Sequence, residues 1–247
     1  MGTHTNSDRQ RQKPKILLGS LIADAKDYIL PLWLSHIQGL TYSNLEYFIY
    51  DTTPDQGDHA LFARKFTPDN IVISHSPELN RGPLRQVLAN GFEEIRKFFL
   101  STDCDGLLIL ECDVFPPLNV IEKLVAEDRP VICGPYLTGD GASKYLMLQE
   151  CDYHEEQAFL KAFQMSFDSS FGLFDGTVRP VYGAGLGCVL ITRDIARRIR
   201  FRWDPADESF PDSFFYQDLF IRQIPNCVDT SFVCRHENQN WGAILNK

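Results

Sequence analysis

Short apolar runs and polar, turn-forming segments alternate along most of the chain. Runs of this length between turn-forming residues predict buried β-strands. In chain order the runs cover residues 15–21, 45–50, 70–74, 106–110, 130–133, 187–192 and 228–234. Because most of them are apolar throughout, we expect strands that are buried on both faces of a sheet.

Amphipathic segments lie between several of these runs. The clearest extends from Gly82 to Leu100, where apolar side chains recur at helical spacing along one stripe. Further helices are predicted over 24–36, 118–125, 194–200 and 214–223. Pro31 falls within the first of these and either kinks it or lies in its first turn. The alternation predicts a single α/β domain, with a mostly parallel sheet flanked by helices.

The alternation is lost between Leu137 and Arg179. This irregular insertion is rich in aromatic, acidic and glycine residues and contains one predicted helix near 155–163. It either forms a lid or acceptor site, or is a surface loop. The polar segment 1–14 lacks the apolar stretch of a signal peptide and predicts a flexible tail, so the domain is expected over 15–247.

Composition narrows the classes of partner. The chain has 247 residues and a formal net charge of −9, which disfavours nucleic acid and anionic membranes. A nucleotide ligand remains compatible, because a divalent cation bridges carboxylates to a diphosphate. The seven cysteines form no Cys-x-x-Cys pair, and no apolar run is long enough to cross a bilayer. Buried free thiols and a cytoplasmic location are the expectation.

Two acidic residues stand directly after a predicted strand. The apolar run Leu107–Leu110 is followed by Glu111, Cys112 and Asp113. Alternation along a strand places Glu111 and Asp113 on one face, at the carboxyl edge where open α/β sheets bind ligands. Converging carboxylates repel each other unless a proton or a cation lies between them. The pair therefore predicts a divalent metal site, whereas the alternative is two solvated acids in a loop.

The segment Glu111-Cys112-Asp113 resembles the Asp-x-Asp triplet of the A-fold glycosyltransferases, particularly the family-2-like nucleotide-diphospho-sugar transferases, with Glu in place of the first Asp. Other features of that superfamily follow in the same order. A glycine-rich loop contains Gly183 and Gly185, Gln217-Asp218 stands where the family has an acidic pair at the start of an acceptor-side helix, and His236 follows the last strand.

The resemblance implies a role for each of these residues. Asp113, His236 and Glu111 would hold Mn²⁺ or Mg²⁺, while Glu111 and the two glycines would also contact the nucleotide-sugar donor. Asp218 would act as the general base, although an Asp at a helix start also serves as a cap. A lone histidine is often structural, and glycines also serve tight turns.

Two further positions follow from the same resemblance. Asp51 would hold the base or the ribose, or else form a turn before Pro54. Arg81 or Arg85 would pair with phosphate or with nearby acids, and Arg85 is preferred for the phosphate.

The resulting hypothesis is metal-dependent transfer of a sugar from a nucleotide-diphosphate sugar to an acceptor hydroxyl on a glycan, a lipid-linked carrier or a protein. With Asp218 as base the transfer is inverting; with a structural Asp218 a retaining reaction stays open. A degenerate nucleotide-sugar-binding module is the non-enzymatic alternative. A sugar-phosphate nucleotidyltransferase shares the fold, but residues 19–24 lack the glycine- and arginine-rich loop that such enzymes have after the first strand.

Overall fold

The computed structural model describes residues 13–55, 57–138, 145–146, 165–166 and 174–237. The strands are β1 Ile16–Ile22, β2 Leu45–Asp51, β3 Val72–His75, β4 Gly106–Leu110, β5 Val114–Phe115, β6 Val131–Cys133, β7 Leu137–Thr138, β8 Tyr145–Leu146, β9 Met165–Ser166, β10 Val178–Pro180, β11 Cys188–Thr192, β12 Cys227–Asp229 and β13 Arg235–His236. The helices are α1 Leu30–Gln38, α2 Gly57–Phe66, α3 Leu84–Ser101, α4 Val120–Ala126, α5 Arg193–Arg198 and α6 Pro211–Ile221, with a 3-10 turn at Asp24–Lys26.

Eight strands form the central sheet, in the order β10-β12-β6-β11-β4-β1-β2-β3. Strands β4, β1, β2 and β3 are parallel to one another, and β12 is parallel to β6. Strand β11 runs antiparallel between β4 and β6, and β10 is antiparallel to β12. Two small sheets accompany it: in one β13 pairs with β5, and in the other β8 lies between β7 and β9. The predicted α/β class with a mostly parallel sheet is confirmed.

Hydrophobic cores cover both faces of this sheet. Alternation along β1 directs Leu17 and Leu21 to the core formed with α3, and Ile16 and Leu18 to the core formed with α1. The α3 side includes Phe92, Ile95 and Phe99, whereas the α1 side includes Trp33, Leu34 and Ile37. This two-sided burial explains why β1 and β4 are apolar throughout, as the sequence predicts.

Several predicted element bounds are wrong. The segment 24–36 is a 3-10 turn followed by α1, and Pro31 lies in the first turn of that helix. Helix α2 is absent from the sequence prediction. Helix α6 begins at Pro211, and the predicted strand over 228–234 ends at Asp229 before a turn. The helix predicted near 155–163, and most of the insertion, lie outside the described residues.

The start of the described chain contacts the domain. Tyr42 donates a hydrogen bond to the carbonyl of Pro14 at 2.7 Å, and Asn44 donates one to the carbonyl of Lys13 at 2.8 Å. Within the ranges given above, no helix is both long and apolar enough to pass through a membrane.

Candidate functional site

The two acids of the Glu-Cys-Asp segment lie where β4 ends. The Glu111 N–H donates to the carbonyl of Gly187, at 3.0 Å, so the antiparallel strand β11 enters the sheet beside this segment. The Val114 N–H then donates to the Glu111 carbonyl at 3.0 Å and closes a tight turn. Asp113 lies inside this turn and is only 3% exposed. A carboxylate that is this buried requires cationic or hydrogen-bonding partners.

Pairing between β5 and β13 brings a histidine to Asp113. Val114 pairs with His236, and the Glu237 N–H donates to the Asp113 carbonyl at 2.9 Å. The Nδ1 of His236 lies 2.8 Å from the carbonyl of Leu137, to which it donates, so the other ring nitrogen points elsewhere. That nitrogen, Nε2, lies 3.4 Å from Oδ2 of Asp113.

One ligand atom each from Glu111, Asp113 and His236 lies within 4.8 Å of the other two. Two carboxylate oxygens and one imidazole nitrogen suit a divalent ion such as Mn²⁺. The hydrogen bond from His236 to the Leu137 carbonyl is of the kind that, in metal sites, orients a histidine ligand and fixes its tautomer. The predicted ligands are therefore brought together, and they fit a metal ion.

Lys26 supplies a cation to the same cluster. It lies in the 3-10 turn after β1, and its ammonium group contacts Oδ2 of Asp113. Burial alone would raise the pKa of Asp113, but the hydrogen bond from His236 and the charge of Lys26 outweigh it and lower that pKa. Burial lowers the pKa of His236, but the bond to Asp113 and its charge raise it overall.

Glu111 behaves differently from Asp113. Burial, reinforced by the negative charge of Asp113, raises the pKa of Glu111 to about 7. The two carboxyls of one short segment thus differ in protonation, as expected where like charges meet in a partly dry site. Bringing a divalent ion to the cluster favours the ionised form of both.

A cleft of about 330 Å³ opens from this cluster. It lies at the carboxyl ends of β1, β2 and β4, where open α/β sheets bind their ligands. One part is polar and contains Lys26, Glu111, Asp113, Asp212 and His236. The remaining walls are mainly apolar and are formed by Leu21, Ile22, Ala23, Leu84, Leu88, Phe92, Leu186 and Phe210. An apolar cleft with a few convergent charged groups is the usual form of a small-molecule site.

Asp51 does not line the cleft. It is fully buried, and its carboxylate accepts hydrogen bonds from the Thr53 N–H at 2.9 Å and lies 3.0 Å from Nδ1 of His59. Its neighbour Thr52 lines the cleft instead. Arg85 does not line the cleft; its guanidinium lies 4.8 Å from the ring centre of Phe210, which does. The predicted nucleotide contacts of Asp51 and Arg85 remain predictions.

Of the glycine-rich loop, the two glycines proposed as donor contacts are not in the cleft lining. Gly183 and Gly185 are buried and do not line it, whereas Leu186 does. Gly185 has a φ of +64°, which favours glycine, and its carbonyl accepts a hydrogen bond from the hydroxyl of Tyr216. Direct donor contacts by the two glycines remain predictions.

Asp218 is not at a helix start, which corrects the sequence interpretation. Helix α6 begins seven residues earlier, because Pro211 is well suited to a first turn. The Asp218 carboxylate pairs with Arg202, with Nη2–Oδ1 and Nε–Oδ2 distances of 3.0 and 3.2 Å, and does not line the cleft. The acid in the first turn of α6 is Asp212, which the sequence interpretation missed although Pro-Asp is a helix-start signal. Asp212 lines the cleft, and burial raises its pKa.

Comparison with known proteins gives the fold a name. No protein-family model matches the chain. No curated protein matches it either. Among solved structures, the mannosyltransferase PcManGT from Pyrobaculum calidifontis, in complex with GDP-Man and Mn²⁺, is 12% identical with a TM-score of 0.56 over 94% of this chain and 59% of its own. The fold is that of the A-type glycosyltransferases.

Two other structures share this A-type fold. S. aureus TarS, residues 1-349, is 10% identical with a TM-score of 0.54, over 90% of this chain and 60% of that one. A197 from STIV is 18% identical with a TM-score of 0.50, over 91% of this chain and 86% of that one. The chain thus spans about three fifths of the TarS and PcManGT structures, and identities this low establish the fold alone.

Proposed function

We propose that this A-type domain transfers a sugar from a nucleotide-diphosphate sugar to an acceptor hydroxyl, with a divalent metal ion such as Mn²⁺ or Mg²⁺. The observation that carries the proposal is the cluster of Glu111, Asp113 and His236 at the polar end of the cleft. PcManGT, which has this fold, was solved with a nucleotide sugar and Mn²⁺. A location in the cytoplasm, expected from the sequence, belongs to the same proposal.

Each residue of the cluster has a distinct task in this reaction. Asp113 and His236 would hold the ion, and Glu111 would complete the set of ligands once it has lost its proton. The bound ion supplies positive charge for the diphosphate that leaves the sugar. The apolar walls near Leu88 and Phe92 exclude water, which strengthens the electrostatic interactions at the polar end.

The acceptor needs a base, and two aspartates of α6 are candidates. Asp212 faces the cleft, and burial raises its pKa, which makes it a better proton acceptor than an exposed carboxylate. Asp218, the base expected from the sequence, is paired with Arg202 and serves only if that pair separates. We therefore propose Asp212 as the base. Deprotonation of an acceptor that attacks the sugar directly leads to inversion at the anomeric carbon.

A thermal-shift panel of nucleoside diphosphates, with and without Mn²⁺, tests the donor site. A ligand at a hundred times its dissociation constant stabilises by about 2.7 kcal/mol, which raises the melting temperature by roughly 5–10 °C in a domain of this size. We expect a shift that requires both Mn²⁺ and one nucleotide, and that D113N removes. D194N, at an exposed surface position, is the control. A well-folded wild-type protein without any shift would contradict the proposal.

Turnover of D212N and D218N separates the two candidate bases. Loss of a general base lowers kcat by about 10²–10⁴-fold. We expect this loss in D212N, with donor binding unchanged, and near-normal turnover in D218N. The reverse result would restore Asp218 as the base.

A nucleotide-sugar-binding module without activity is the second candidate. The observation that favours it is the contact of Lys26 with Asp113, since a lysine that stays there replaces the metal ion. Gln217 stands where the glycosyltransferases that the chain resembles have an acid, and the loss of that acid also favours a module without activity. Donor binding without product in the presence of Mn²⁺ would select this candidate.

A further inference from the structure

Lys26 is placed to do more than neutralise one carboxylate. Its ammonium group contacts Oδ2 of Asp113, the same oxygen that faces Nε2 of His236 at 3.4 Å. The side chains of Lys26 and Asp113 are only 14% and 4% exposed. A metal ion held by Asp113 and His236 would therefore use an oxygen that Lys26 already contacts.

Two cations compete at that oxygen. An ammonium group and a divalent ion a few ångströms apart repel each other strongly, because the partly buried site screens charge poorly. Lys26 also lines the cleft, and its four-carbon stem gives the ammonium group freedom to turn. The diphosphate of a donor would enter this polar end and offers the ammonium group new oxygen acceptors.

We propose that Lys26 exchanges partners, from the Asp113 carboxylate to the diphosphate of the donor, when the metal ion binds. This inference rests on the proposed function and adds to it a coupling between metal and donor. A bound metal ion would repel the Lys26 ammonium group from Asp113 and leave it free to contact the diphosphate. A bound diphosphate would in turn attract the ammonium group and reduce its repulsion of the ion. Linkage then requires that each ligand tightens the binding of the other by the same factor.

Titration calorimetry with Mn²⁺, and with the nucleoside diphosphate that stabilises the protein most, tests this exchange. In K26M, Mn²⁺ alone should bind about tenfold more tightly, because its competitor is gone. At saturating Mn²⁺ the nucleoside diphosphate should bind about tenfold more weakly, because it loses a cation. Both changes lie within the usual range of coupling between sites.

Matched variants control for charge and folding. K123M removes a lysine that contacts Ser231 at the exposed surface, and it should change neither affinity. K26R keeps the charge and should keep the coupling. Where K26M is unfolded by circular dichroism, K26Q replaces it, because glutamine retains a hydrogen-bond donor to Asp113.

The possible results separate this inference from the proposed function. Opposite changes in the two affinities support the exchange. Wild-type protein that binds both ligands, with K26M unchanged or weaker for Mn²⁺, overturns the exchange and leaves the proposed function standing. Tight nucleotide binding by wild type that is independent of Mn²⁺ also overturns it. Wild-type protein that binds neither Mn²⁺ nor any nucleoside diphosphate overturns the proposed function itself.

Discussion

Glu111 and Asp113 are two residues apart in sequence, yet their pKa values shift in opposite directions. Asp113 has a lowered pKa because His236 and Lys26 face it, despite the opposing effect of burial. Glu111 has a raised pKa because burial and Asp113 both favour its neutral form. The position of a carboxyl relative to cations, and not its residue type, therefore decides which one is ionised in the metal-free protein.

The pKa of Glu111 predicts a pH-dependent stability. Because it rises from 4.5 to about 7 on folding, the folded state binds this proton more tightly than the unfolded chain. The stabilisation is complete below about pH 4.5 and is lost as the pH rises through about 7. E111Q mimics the neutral form and avoids the loss. In metal-free buffer, we expect the melting temperature of E111Q relative to wild type to be higher at pH 8 than at pH 5, by roughly 5–10 °C.

The comparison with wild type at each pH removes the part of the pH dependence that other groups contribute. His236, Lys26 and Asp113 face the same cluster and are present in both proteins. A difference between E111Q and wild type that is constant from pH 5 to pH 8 would contradict the assigned pKa of Glu111.

The sequence predicted the three residues that cluster at the cleft, but not which acid of α6 faces it. Glu111 and Asp113 were predictable because a buried strand ends in two acids. Asp218 was chosen by resemblance, whereas the pairing that removes it depends on Arg202, sixteen residues away along the chain. Similarly, no local sequence pattern predicted that the imidazole of His59 contacts the Asp51 carboxylate. Such long-range partners of a charged side chain carry no local signal.

At the scale of elements, close packing of β1 against α3 depends on a glycine. A Cβ on Gly19 would lie 2.3 Å from Cγ2 of Ile95, which is itself fully buried. We expect G19A to destabilise the protein by about 1–3 kcal/mol, since a packed core resists added volume. Chemical denaturation measures the change. G39A is the control, because its φ is −81° and its Cβ would approach other atoms no closer than 3.3 Å.

The β5–β13 pair positions two of the proposed metal ligands, Asp113 and His236. The Glu237 N–H donates to the Asp113 carbonyl at 2.9 Å, and E237P removes this donor. We expect Mn²⁺ affinity to fall by about 10–100-fold, the usual effect of losing an outer contact of a metal site. E237A keeps the N–H and should retain affinity in the same calorimetric titration. Equal affinities of the two variants would show that the strand pair does not position the site.

Some of these elements could be predicted from the sequence and others could not. The apolar run 106–110 fixed β4 to the residue, because burial on both faces leaves a continuous signal. The pair β5–β13 consists of two-residue strands that are far apart in sequence, and two residues carry no periodicity. Helix α2 was missed for a related reason, since its sequence mixes polar and apolar residues without a clear stripe.

At the scale of the whole molecule, the thiols report on the integrity of both cores. In the described part of the chain, Cys104, Cys112, Cys133, Cys188, Cys227 and Cys234 are buried and free, and Cys151 lies outside it. Burial raises the pKa of Cys133 to about 12, and the thiolate is the reactive form. We expect these six thiols to react with Ellman's reagent only after denaturation. Rapid modification of several thiols in the native protein would contradict the packing, and C151S controls for the remaining thiol.

The parallel sheet and its A-type arrangement were largely predictable, because strand and helix signals alternate over most of the chain. The insertion of β11 between β4 and β6 was not, since strand order depends on contacts that no local pattern encodes. That insertion helps to shape the candidate site, because it brings Gly187 to Glu111.

Because β13 follows β5 by more than a hundred residues, the residues that this pair brings together are synthesised at different times. A ribosome makes the chain from its N-terminus, so Lys26, Glu111 and Asp113 exist well before His236 does. The strands β1, β2, β3 and β4 are already synthesised while His236, the last of the three proposed ligands, is still missing. The growing chain thus contains these four of the eight strands of the central sheet, and Lys26 as a partner for Asp113, before it contains His236.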